Sequence, residues 1–110
     1  MRGSRLEVRT KGDGSVVMRP HGSIGADDAV ELRQLLVRTV RKVRPLRLVV
    51  DLADVSAVDP INLGTLAAAC TLGDDHQVAV FVDNPPVGIA ADLLAAGVPR
   101  QRLRHTAAPR

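Results

Sequence analysis

The residues best suited to chemistry are Asp59-Pro60-Ile61-Asn62-Leu63-Gly64, between a strand-like run and a helix-like run. Asp is a strong helix N-cap, and Pro fits the first helical position, where its missing N–H is no loss. A helix starting here turns backbone N–H groups toward its surroundings and favours an anion beside them. Its first turn carries Ile61, however, where a phosphate-accepting hydroxyl would complete such a site. Asp59 has two open roles, capping the helix or assisting a phosphotransfer. Thr65 and Ser56 are the nearest hydroxyls and the candidates for a displaced phosphoacceptor.

Other chemistry finds no support in the residue spacing. His21, His76 and His105 are far apart, with no partner at metal-ligand spacing, so neither a metal nor another cofactor is expected. Cys70 is the single cysteine and falls mid-helix on an apolar side, which reads as a small buried hydrophobe in a reducing compartment. No Ser sits in a nucleophile elbow, and the glycine-rich stretches lack the phosphate-loop and dinucleotide fingerprints. The chain is therefore expected to bind, not to catalyse.

The elements that must position the Asp59 segment follow from periodicity. Leu6–Arg9 and Ser15–Arg19 read as a β-hairpin around the turn Lys11-Gly12-Asp13-Gly14. Pro20 to Gly25 is a glycine-rich connection into a first helix over Ala26–Val43, whose core stripe is Ala29, Leu32, Leu36, Val40 and Val43. Val30 and Val37 fall on the far side among arginines, open either to solvent or to a docked partner. Leu46–Leu52 is a nearly unbroken apolar run, as in a strand buried on both faces. Ala53–Val58 links it to a second helix, Pro60–Leu72, which Gly73-Asp74-Asp75 is expected to break. A strand at Gln77–Val82, a helix at Val87–Ala96 and a short edge strand at Gln101–His105 complete the chain. The order predicts an α/β fold with a mixed sheet of four to five strands, an N-terminal hairpin and three to four helices.

With 110 residues, 45% of them hydrophobic, the chain reads as one globular domain with a folded core over 5–105 and loose ends at 1–4 and 106–110. Net charge is only +3, but Arg33, Arg38, Arg41, Lys42, Arg44 and Arg47 fall in a stretch free of acids. Nucleic acid is not the expected partner, because Phe81 is the single aromatic and no binding motif is present. No signal peptide or membrane-spanning run is read, so a cytoplasmic location is expected.

The ordered set of motifs resembles the STAS domain of bacterial anti-sigma factor antagonists, over roughly Leu6 to His105. Gly22-Ser23-Ile24 is similar to that family's Gly-Glu-Leu-Asp, with Gly25 at the Asp position. Leu48-Val49-Val50-Asp51-Leu52, Val55 and Val58-Asp59 are similar to its central strand and following loop. Asp59-Pro60-Ile61-Asn62-Leu63-Gly64 is similar to its Asp-Ser-Ser-Gly-Leu-Gly, with Asp59, Leu63 and Gly64 identical. Ala95-Ala96-Gly97-Val98 is similar to its Ser-Gly-Leu, and the family's final helix is missing or very short.

The resemblance implies a module that binds an anti-sigma factor of kinase type and frees a sigma factor. In the family, phosphorylation of the motif's second Ser ends that binding, by adding negative charge at a helix start. The equivalent residue here is Ile61, which cannot be phosphorylated. The implied partner surface comprises Ser23, Ile24, Gly25, Asp59, Pro60, Ile61, Asn62 and Thr65. Ile61 is either an apolar anchor for the partner or packed under a neighbouring loop. A fixed accessory or scaffold subunit, as in lipid-transport ABC systems, is the alternative, and a ligand-binding sensor with a cleft near Gly22–Gly25 is a third. A homodimer stays open.

Overall fold

The computed structural model describes residues 6–106. Of the ends expected to be loose, 1–4 and 106–110, residues 1–4 and 107–110 lie outside the described residues, while the Thr106 N–H is bonded to Asn84 Oδ1. Among the described residues, seven strands and three α-helices follow in the order β1 (Leu6–Thr10), β2 (Ser15–Pro20), β3 (Gly22–Ile24), α1 (Ala29–Arg38), β4 (Arg47–Asp51), β5 (Val55–Val58), α2 (Pro60–Asp75), β6 (Ala79–Asp83), α3 (Val87–Ala96) and β7 (Leu103–Arg104). Five strands form one mixed sheet, ordered β1-β2-β4-β6-β7, in which only the hairpin pair is antiparallel. The predicted α/β class, hairpin and sheet size are all present.

Side-chain alternation gives the sheet two unlike faces. Val16 and Met18 of β2, Leu48 and Val50 of β4, and Val80 and Val82 of β6 are buried. They form one core with Leu32 and Leu36 of α1, Leu63, Leu66, Ala69 and Cys70 of α2, and Leu93 of α3. On the other face, register places Arg9, Val17, Val49 and Phe81 in one row. The Arg104 guanidinium lies 3.9 Å from the Phe81 ring centroid, a cation–π contact that covers this ring.

The hairpin turn is held by its own polar groups. Asp13 accepts from the Ser15 N–H at 3.0 Å, and Gly14 supplies the φ of +87° that an L side chain resists. The Arg47 guanidinium donates to Ser15 Oγ and to the Asp13 carbonyl, locking β4 to the turn.

Four expectations need correction. The first helix is wound in three ways: a 3₁₀ turn at Ala26–Asp28, the α-helix, and a wider π turn at Thr39–Val43. The wide turn carries Val43 out of the core stripe, and it is 60% exposed. Leu46 is also exposed, since β4 begins one residue later and Leu46 packs across Gly14.

Gly73 does not break α2, which continues to Asp75. A Cβ at Gly73 would sit 2.5 Å from the Val78 carbonyl oxygen and 2.5 Å from Val80 Cγ2. The glycine lets the helix lie close on β6. The chain then turns at Gln77, in the left-handed region, and the Val78 N–H closes on the Gly73 carbonyl at 2.8 Å.

Last, the connections that lead into α1 and into α2 contain a second sheet. β3 and β5 pair in parallel, with Ser23 opposite Ala57 and Ile24 opposite Val58. Gly22, at φ +81°, begins this pairing, and its N–H bonds to the Asp54 carbonyl. The small sheet brings the Ser23–Gly25 loop beside the start of α2.

Candidate functional site at the start of helix α2

Asp59 caps α2: its Oδ1 accepts from the Ile61 N–H at 3.1 Å, and Pro60 takes the first position. The Asp59 N–H in turn donates to the Ile24 carbonyl at 2.8 Å, so β3 and the cap share a bond. The Asn62 N–H bonds to the Asp59 carbonyl at 2.9 Å. Pro60 has no N–H, and those of Ile61 and Asn62 are taken. The anion-favouring start read from the sequence is thereby corrected: the first three positions offer no free donor, and the Asp59 carboxylate adds repulsion.

Ile61 is 55% exposed. It is not packed under a loop. Asn62 is 0% exposed, and its Nδ2 donates to the Gly25 carbonyl at 2.8 Å and to the Ile24 carbonyl at 3.3 Å. Its Oδ1 is buried with no hydrogen-bond partner among the described residues. Ile24 is likewise buried. Ile24 and Asn62, expected on the partner surface, therefore support it from beneath: packing claims one, and hydrogen bonds to the loop carbonyls claim the other.

Ser23, Pro60 and Ile61 are exposed, with Gly25, Asp59 and Thr65 partly so. The Ser23 and Ser56 hydroxyls lie 3.4 Å apart across the small sheet. Thr65 Oγ1 donates back to the Ile61 carbonyl at 3.2 Å, one turn into the helix. Asp28 folds back so that its Oδ2 accepts the Gly25 N–H at 2.9 Å, fixing the loop from its far end. The surface is thus small and mostly uncharged, with the Ile61 side chain projecting from a rigid base.

Burial pushes the Cys70 thiol up to about 11, with Arg102 opposing and Asp74 reinforcing the shift. Such a thiol is a poor nucleophile at neutral pH. Among the described residues, no three His, Cys, Asp or Glu side chains gather as a metal site, and no helix is long and apolar enough to cross a membrane.

The fold has close counterparts among solved structures. The Bacillus cell fate determinant SpoIIAA, in its phosphorylated form, superposes with a TM-score of 0.78 at 11% identity, over 93% of this chain and 91% of that one. The chain has the STAS fold. An anti-sigma factor antagonist from Mycobacterium paratuberculosis shares this STAS fold with a TM-score of 0.63 at 27% identity, covering 82% of this chain and 76% of that one. The murine anion transporter Slc26a9 matches over 74% of this chain but only 14% of its own length, with a TM-score of 0.61 at 18% identity. No protein-family model matches the sequence, and no curated protein does.

One feature near the site escaped sequence reasoning: an open groove between α1 and α2 that begins at Ile61 and runs past Ala68 and Leu72. Arg33, Val37 and Arg41 form its other wall. The α1 half was visible in the sequence as a valine among arginines. The α2 half was not, because Ala68 and Leu72 are indistinguishable by type from core residues.

Proposed function

We propose that this STAS-fold chain is a protein–protein interaction module that binds an anti-sigma factor of kinase type through the start of α2, with no phosphorylation control at that position. The exposure of Ile61 at the second position of a fully bonded helix start carries the reading. An apolar side chain held there on a rigid base loses little conformational freedom on docking, which favours a stable contact. SpoIIAA, a protein of the same fold, is found in phosphorylated form. Ile61 has no hydroxyl to carry a phosphate, and its N–H is already used by Asp59.

Incubation with the kinase-type partner and ATP, followed by peptide mass mapping, tests the regulatory half. No phosphate is expected between Asp59 and Thr65. Stoichiometric phosphate on Thr65 would overturn it.

A second reading, as a fixed accessory subunit, draws support from the same fold inside the anion transporter Slc26a9. Purification with the native partner separates the two, a kinase-type protein favouring the first and a transport subunit the second.

A further inference from the structure

The α1–α2 groove has a volume of about 720 Å³ and an apolar floor, with Val37 on one side and Ala68 and Leu72 on the other. Its α1 side is basic. Arg33 and Arg41 line the groove itself, and Arg38 and Lys42 continue the same ridge around Val37. Within α1 and its π turn the only acid is Glu31, at the opposite end from Lys42. None of these four cations is paired with a carboxylate among the described residues. On the sheet side, by contrast, Arg19, Arg47, Arg102 and Arg104 all have acidic partners.

We infer that this groove receives one amphipathic helix of a partner protein, apolar on its inner face and acidic along the edge that meets α1. Three observations favour that occupant. From Ile61 to Asp75 the α2 wall runs about 21 Å, which matches a helix of about 14 residues. The floor is apolar while the α1 rim is cationic, with Asp75 the one acid of the lining, at the far end of the α2 wall; this is the arrangement of a helix-in-groove site with charges that set orientation and partner choice. The surface is also concave, so a helix reaches Ala68 and Leu72 where a flat bilayer would meet only the rim. The groove opens at Ile61 beside the surface proposed above, but the inference rests on the shape and charge of the groove and does not need that reading.

A designed peptide of about 14 residues, with Leu at helical i, i+3, i+4 spacing and Glu on one flank, is the probe. It is titrated into the full chain with amide chemical-shift mapping. A second peptide carries Lys for each Glu. The expected result is perturbation confined to 33–42 and 61–75, binding at least about tenfold tighter for the Glu peptide, and loss of that preference in the double variant Arg33→Gln/Arg41→Gln. Because both peptides are compared on the unmodified chain, the outcome does not depend on how the variant folds. Equal affinity for the two peptides, no binding of the Glu peptide at about 1 mM, or perturbation centred elsewhere would overturn the inference. So would binding to phosphatidylglycerol-containing vesicles that perturbs the groove while the Glu peptide does not.

Discussion

Asn62 shows how one side chain can set the shape of a surface it never reaches. Its amide joins the start of α2 to the Ile24 and Gly25 carbonyls, two segments far apart in sequence. Replacing it with Ala removes both bonds and leaves those acceptors short of donors, which should cost about 1–3 kcal/mol. Asn62→Asp should be worse at neutral pH, because a buried carboxylate would face two carbonyl oxygens. Urea denaturation of both variants checks the order; an Asp variant as stable as wild type would contradict it. The Asp59 cap and the Pro60 position were legible from residue type alone. The role of Asn62 was not, since nothing near it in sequence announces that its partners lie across the molecule.

Among the elements, those with strong periodicity were readable and those held by tertiary contact were not. β4 and β6 declare themselves as apolar runs, and Leu32 and Leu36 mark the buried side of α1. β3 and β5 have only three and four residues, several small or polar, and exist because they pair with each other. Gly73 looked like a helix stop because its sequence neighbours are acidic, whereas its cause lies beneath it in the Val78 carbonyl and Val80. Gly73→Ala forces a Cβ against backbone and should destabilise by about 1–3 kcal/mol, despite the higher helix propensity of Ala. A rise in melting temperature would refute that account. β7 depends on a different device. Arg104 donates through Nε and Nη2 to both oxygens of the buried Asp83 at 2.8 and 3.0 Å, and also covers Phe81. Arg104→Met keeps the bulk but strands that carboxylate, so a loss of about 1–3 kcal/mol is expected by calorimetry. Beyond β7, Thr106 is still tied down: its N–H donates to Asn84 Oδ1 at 2.8 Å.

At the scale of the whole molecule, the fold divides its charges and its exposed apolar surface unequally. Among the described residues, the sheet side carries the paired Arg19, Arg47, Arg102 and Arg104 and a shielded aromatic, while the helix side presents Arg33, Arg38, Arg41 and Lys42 without carboxylate partners, Ile61 and the groove between α1 and α2. Both binding readings therefore fall on the helix side, and the exposed Ile61 stands where they meet. Its substitution by Asp adds charge where phosphate would add it, at an exposed position that should tolerate it. The decisive measurement is the affinity of the full chain for its kinase-type partner in the presence of ATP, wild type against Ile61→Asp. ATP-insensitive binding by the wild type is expected, with at least a tenfold loss, about 1.4 kcal/mol, in the variant. Equal affinity of the two proteins, or release of the wild type by ATP, would contradict it.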